Sequence, residues 1–145
     1  MPKFIKPIFY LSLLGTLFAL TVTLRQYIAP ASQPGIFSCV GFKIWGLSPC
    51  PYGLTLFALL FIISGLIISR RFISSWATHL LRLLAWGGVI FAGWVGWREI
   101  GLPLMARGGY FWETFSLATV PACVWGFFVF LAVAILTCFY KTEST

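Results

Sequence analysis

Charged residues are scarce in this chain, and acidic ones most of all. Only 9% of the 145 residues are charged, with three acidic side chains against ten basic ones and a single histidine. A soluble domain of this size carries far more charge on its surface. A lone histidine without nearby carboxylates excludes a metal site of the usual kind, and no phosphate-binding loop or nucleophile elbow is present.

Apolar residues make up 60% of the chain, aromatic residues make up 19%, and the mean hydropathy is +0.96. A helix needs about 20 mostly apolar residues to cross a bilayer, and lipid-exposed isolated strands cannot satisfy their backbone groups. Residues 1–145 are therefore predicted to form one all-α membrane domain, a four-transmembrane-helix bundle. The four predicted helices span residues 7–24, 51–69, 79–97 and 119–140.

The basic residues flank the apolar segments and do not form one basic surface, which argues against nucleic-acid binding and for contact with membrane lipid. The pair Arg70-Arg71 directly follows the second segment. Because cytoplasmic loops carry an excess of lysine and arginine, both termini are predicted to be cytoplasmic. Loops 25–50 and 98–118 then face outward. Glu99 in the second of these loops is expected to pair locally with Arg98.

Three of the four cysteines, Cys39, Cys50 and Cys123, fall on the predicted outer side, and Cys138 falls near the cytoplasmic end of the fourth helix. Disulfides persist outside the cytoplasm, so Cys39 and Cys50 are a plausible pair that either staples a loop or takes part in redox chemistry. Cys123 opens a helix, where the partial positive charge favours a thiolate that could attack that disulfide.

Aromatic residues near Cys123 are candidates for an apolar pocket that would hold a quinone ring. They are Trp112, Trp125 and Phe127. The same residues also fit an ordinary aromatic belt at the membrane interface.

A short internal repeat links the second and fourth helices. Residues 50–57 and 123–130 both read Cys-x-aromatic-Gly-apolar-x-x-Phe, and a proline closely precedes each, at Pro49 and Pro121. Either the two-helix hairpin is duplicated, or the match is a coincidence in an aromatic-rich chain.

The layout of four helices, outer-loop cysteines and a cysteine at the fourth helix resembles the vitamin K epoxide reductase family. Residues 46–53, Gly-Leu-Ser-Pro-Cys-Pro-Tyr-Gly, are similar to that family's Gly-Ile-Pro-x-x-x-x-Gly entry to the second helix. The resemblance implies a quinone-coupled thiol–disulfide oxidoreductase of the bacterial inner membrane, with an extracytoplasmic thioredoxin-like partner. Cys39 and Cys50 would be the shuttle pair and Cys123 the second cysteine of the active Cys-x-x-Cys. Val120 stands where the first cysteine of that motif is expected.

The alternative is a non-catalytic four-helix protein or an accessory subunit of a larger membrane complex. Its Cys39–Cys50 bridge would then be purely structural.

Overall fold

The structure is a computed structural model that describes residues 4–28, 44–69, 75–101 and 122–143. Four long helices account for nearly all of them: α1 (Ile5–Ile28), α2 (Pro49–Ile68), α3 (Ser75–Gly96) and α4 (Ala122–Glu143). Each is long and apolar enough to cross a membrane. The predicted all-α bundle of four transmembrane helices is confirmed.

Local sequence explains how α2 begins and how α3 ends. Pro49 occupies the first turn of α2, where its missing N–H is no loss, and Ser48 has the extended backbone of an N-cap residue. A tight turn before Ser48 places Trp45 and Gly46 at positive φ, with backbone hydrogen bonds joining the flanking residues on either side. At its far end, α3 continues as a π-helical turn over Trp97–Gly101.

The helices pack as two hairpins. α1 packs chiefly on α2, and α3 chiefly on α4, while contacts of α1 with α4 and of α2 with α3 close the ring. We call the end of the bundle where α1 and α3 finish and α2 and α4 start the outer end, following the predicted orientation. The opposite end carries Cys138, which is exposed.

Two phenylalanines stack at the centre of the bundle. The rings of Phe57 and Phe130 lie 4.0 Å apart between centroids and only 9° from parallel. Each ring rests on a glycine of the neighbouring helix. A Cβ atom added at Gly15 would lie 2.5 Å from the Phe57 ring, and one added at Gly88 would lie still closer to the Phe130 ring. Glycine therefore permits the close helix contact in both hairpins, as small residues do in membrane bundles.

The two glycine–phenylalanine pairs are related by an offset of 73 residues, since Gly88 and Phe130 lie 73 positions after Gly15 and Phe57. The same offset separates Cys50 from Cys123. The offset also relates buried positions of differing residue type: Ser12 and Ala85 are both fully buried, as are Leu60 and Val133. The identical pairs at this offset that fall in the described helices include Gly15/Gly88, Phe18/Phe91, Ala19/Ala92, Val22/Val95, Cys50/Cys123, Gly53/Gly126 and Phe57/Phe130.

Hydrogen bonding repeats at the same offset. Buried Ser64 in α2 and buried Thr137 in α4 each donate a hydroxyl hydrogen bond to the carbonyl three residues earlier in their own helix. Equivalent positions of the two hairpins agree in residue type, burial and hydrogen bonding. The similarity therefore extends well beyond the one short motif and is not a coincidence. We conclude that the chain is a duplicated two-helix hairpin, with its repeats arranged in parallel about an axis along the bundle.

Candidate functional site: a cavity between the two repeats

An apolar cavity of about 40 Å³ lies at the outer end of the bundle, between the two repeats. Its walls come from all four helices and are largely pairs of equivalent residues. The paired lining residues are Phe18/Phe91, Ala19/Ala92, Pro49/Ala122, Cys50/Cys123, Gly53/Gly126 and Phe57/Phe130. The cavity therefore lies on the axis that relates the repeats, which is where proteins built from parallel repeats commonly place a site.

Two of the predicted site cysteines share this cavity. Cys50 is the second residue of α2 and Cys123 the second residue of α4, and both line the cavity wall. Cys50 is buried in a small cluster with Val22 and Ala122, the residue that precedes Cys123. The prediction that Cys50 and Cys123 lie at similar depth on the same side is confirmed.

The two sulfurs are in different chemical states. Cys50 is disulfide-bonded, whereas Cys123 is a free thiol and Cys138 is not part of a disulfide. Cys39 lies outside the described residues, so its pairing with Cys50 stays a prediction. The cavity thus has a half-cystine on one wall and a thiol on the facing repeat.

Of the aromatic residues predicted to hold a quinone, Trp125 and Phe127 do not line this cavity. Phe127 packs toward α3, where a Cβ added at Gly93 would lie 3.3 Å from its ring. Trp125 is partly exposed on the surface of α4, and Trp112 lies outside the described residues. A ligand pocket commonly has a volume of at least about 300 Å³. The cavity between the cysteines is far smaller and does not fit a quinone ring.

The outer ends of α1 and α3 differ at one pair of equivalent positions, Gln26 and Glu99. In the first repeat, the Ser48 hydroxyl donates a 2.8 Å hydrogen bond to Gln26 Oε1. In the second repeat, both carboxylate oxygens of Glu99 are buried and accept no hydrogen bond from the described residues. The expected local bond with Arg98 is not formed, and the Arg98 guanidinium lies 5.6 Å over the Trp94 ring.

Glu99 lies in the π-helical turn at the outer end of α3, the end of the bundle at which α4 and Cys123 begin. One turn earlier, Gly96 faces Val124, since a Cβ added there would lie 3.7 Å from that side chain. This contact places the end of α3 against the first turn of α4. π-Helical turns within α-helices occur frequently at functional sites.

The opposite end of the bundle holds a second polar contact. Arg82 of α3 donates a 3.1 Å hydrogen bond from Nη2 to the Thr137 carbonyl of α4. The guanidinium thus reaches across to the neighbouring helix, and Arg82 Nε is buried without a hydrogen-bond partner among the described residues. Within the described segments, no three histidine, cysteine or carboxylate side chains are grouped to hold a metal ion.

Two features of the site were not predicted from the sequence. The repeat at an offset of 73 residues extends beyond the eight-residue Cys-x-aromatic-Gly motif into all four helices. Glu99 was treated as half of a surface pair. Its alignment with Gln26 at that offset is the signal that would have singled it out.

The fold and composition define a multi-pass integral membrane protein. In comparisons with known proteins, no family model, no curated protein and no solved structure matches the chain. The resemblance to the vitamin K epoxide reductase family therefore stays a prediction.

Proposed function

We propose that this protein is a membrane thiol–disulfide oxidoreductase of the vitamin K epoxide reductase type that works through Cys39, Cys50 and Cys123. The observation that carries the proposal is the shared cavity, where disulfide-bonded Cys50 and the free thiol of Cys123 occupy equivalent positions of the two repeats. A thiolate exchanges with a disulfide by attacking one of its sulfurs, and nearby reactants require little reorganisation.

In the proposed exchange, the Cys123 thiolate attacks Cys50 Sγ and forms a Cys50–Cys123 disulfide. Cys39 leaves as a thiolate and takes up a proton. One disulfide and one thiol are present before and after the step, so no electrons are gained or lost. For this chain to act as an oxidant, it must exchange its disulfide with the dithiol of another protein. An extracytoplasmic thioredoxin-like protein is the proposed class of partner. That partner would be oxidised while the disulfide of this chain is reduced.

Val120 restricts the chemistry that is open to Cys123. Because no cysteine stands there, Cys123 cannot form the local disulfide of the Cys-x-x-Cys motif, and its internal partners are the other outer cysteines. The resemblance names a quinone as electron acceptor, to be held by Trp112, Trp125 and Phe127. Since the shared cavity is too small for its ring, the chemistry proposed for the cavity ends at thiol–disulfide exchange.

The proposal is tested with Cys39→Ser in the full chain, expressed in the bacterial inner membrane, its proposed location. Freed from its predicted partner, Cys50 is expected to form a disulfide with Cys123 on mild oxidation. Mass spectrometry of peptides from unreduced samples detects that bond. The matched control is Cys138→Ser, which removes a thiol at the opposite end and leaves the state of the outer cysteines unchanged.

The alternative function, a non-catalytic membrane protein or subunit with a structural disulfide, is favoured by the missing Cys-x-x-Cys and by the small size of the cavity. It predicts that Cys39→Ser leaves Cys50 and Cys123 as two separate thiols. That result in properly inserted protein would refute the exchange.

A further inference from the structure

Arg82 places a positive charge between α3 and α4 near the end of the bundle where α1 and α3 start, which we call the inner end. Its Nη2 donates a 3.1 Å hydrogen bond to the Thr137 carbonyl, so the guanidinium is held in position. Its Nε is buried and has no hydrogen-bond partner among the described residues. An unsatisfied donor on a charged group that is partly buried is costly, and an anion beside the guanidinium would offset part of that cost.

The first repeat shows that packing at this position does not require an arginine. The equivalent residue, 73 positions earlier, is Phe9. Its ring packs on Phe61 of α2 with 4.9 Å between the ring centroids. The second repeat therefore has a cation where the first has an aromatic contact. One turn earlier, the repeats carry Lys6 and His79 at equivalent positions, and both side chains are exposed.

Arg82 lines an open groove of about 460 Å³ on the surface of α3. The other lining residues are Trp76, His79, Leu80, Leu83 and Trp86. None of these described residues is acidic. His79 and Arg82 lie three residues apart in the helix, so they are neighbours on its surface. Tryptophan is enriched at the membrane interface, where the lipid headgroups lie. The groove therefore combines a cation with aromatic residues suited to headgroup level.

An exposed apolar stripe on α3 leads from the groove toward the middle of the bundle. It consists of Leu83, Trp86 and Ile90, whose spacing places them on one helix face. Leu83 and Ile90 are each 70% exposed. At 1.5 Å per residue, Ile90 lies about 12 Å deeper than Arg82. One leaflet contributes roughly 15 Å of hydrocarbon, so the stripe matches the length of a lipid acyl chain in that leaflet.

The balance of charge at the inner end favours an anion. By their place in the sequence, six basic residues belong to this end and only one acidic residue, Glu143, does. The basic residues are Lys3, Lys6, Arg70, Arg71, Arg82 and Lys141. The inner end is the predicted cytoplasmic side. Cytoplasmic leaflets carry anionic lipids, and basic pockets between transmembrane helices on that side bind their headgroups.

We propose that this groove is a binding site for an anionic phospholipid, whose phosphate accepts hydrogen bonds from Arg82 and whose acyl chain lies along the apolar stripe. Arginine forms strong charge-assisted hydrogen bonds with phosphate oxygens, and His79 can donate a further one. Because the Thr137 carbonyl already holds the guanidinium, little conformational freedom is lost on binding. The inference involves none of the cysteines and goes beyond the proposed thiol–disulfide exchange.

The test titrates the full chain in detergent micelles with phosphatidylglycerol or with zwitterionic phosphatidylcholine, and native mass spectrometry counts the bound lipid. The wild type should bind phosphatidylglycerol about tenfold more tightly than phosphatidylcholine. Arg82→Gln should lose that preference, whereas Arg82→Lys should retain part of it because the charge remains. The matched control is Arg25→Gln, which removes the same charge from an exposed residue at the outer end and should keep the preference.

Two further measurements do not depend on the folding of Arg82→Gln. His79→Glu adds a negative charge at an exposed position of the groove and should weaken binding of phosphatidylglycerol about tenfold. In the wild type, phosphatidylglycerol with a photoactivatable acyl chain should cross-link chiefly to the apolar stripe, as mapped by peptide mass spectrometry. Excess inorganic phosphate should not displace the lipid, because it has no acyl chain.

Four results would overturn the inference. An unchanged preference in Arg82→Gln would exclude the guanidinium as the phosphate partner, and an equal loss in Arg25→Gln would mean that net charge alone attracts the lipid. Cross-links spread evenly over the four helices would exclude a defined site. Displacement by inorganic phosphate would indicate a simple anion site. Since the assay does not use the cysteines, its outcome is independent of the trapping experiment with Cys39→Ser.

Discussion

Replacing Gly88 by alanine tests the packing that holds the two repeats together. The substitution adds one methyl group on the face of α3 that touches Phe130. The added Cβ would lie well inside 3.0 Å of the ring, a distance that real Cβ contacts do not show. The ring cannot retreat, because its other face stacks 4.0 Å from Phe57, which rests in turn on Gly15. Relief therefore requires the helices to move apart.

The expected magnitude follows from two opposing contributions. Overpacking of a close-packed core costs about 1–3 kcal/mol, and the upper end applies here because the displaced ring is held on both faces. Alanine is favoured over glycine in a helix by about 1 kcal/mol. The free energy of unfolding should therefore fall by about 2 kcal/mol in Gly88→Ala.

Gly87→Ala is the matched control, because nothing lies within 4 Å of a Cβ added at that position. It keeps only the favourable helix contribution and should leave the protein as stable or about 1 kcal/mol more stable. Reversible unfolding in mixed micelles, followed by far-UV circular dichroism, measures both variants. Gly88→Ala combined with Phe130→Leu should recover part of the loss. If the two alanine variants are equally stable, the stacked core described above is wrong.

Three further predictions use the same unfolding assay. Gly15→Ala should destabilise the protein by about 2 kcal/mol, because its Cβ meets Phe57 as the Cβ at Gly88 meets Phe130; a stabilised variant would contradict the repeat. Tyr52→Phe removes the hydrogen bond from the Tyr52 hydroxyl to the Ile44 carbonyl and should cost about 1 kcal/mol; an unchanged stability would contradict a stabilising role for that bond. Arg82→Lys keeps the charge but loses the guanidinium donor to α4; we expect a loss of about 1 kcal/mol, and no loss would refute a role for that bond.

The depth of Cys50 and Cys123 was predicted correctly from the sequence, whereas the aromatic residues around them were not. Cys50 and Cys123 were expected at one depth because each opens an even-numbered helix, and the structure brings both to one cavity. Trp125 and Phe127 were assigned to a pocket only because they lie near Cys123 along the chain. A helix turns by about 100° per residue, so sequence neighbours face different ways, and Phe127 packs toward Gly93 instead.

Glu99 shows the limit of local reasoning in another way. Its neighbour Arg98 suggested a simple pair, but hydrogen bonding depends on which groups the tertiary fold brings within reach. The π-helical turn and the contact of Gly96 with Val124 place Glu99 at the end of the bundle where α4 begins, and its carboxylate oxygens accept no hydrogen bond from the described residues.

By itself the sequence determined that the chain crosses a membrane four times as helices, because hydropathy over about 20 residues and backbone hydrogen bonding in lipid are local properties. Tertiary structure decided which faces of the helices meet. In a bundle whose lipid-facing and core-facing side chains are equally apolar, no pattern of hydrophobicity marks the inner face. Close packing of Phe57 and Phe130 on two glycines selects it instead, and with it the cavity that Cys50 and Cys123 share.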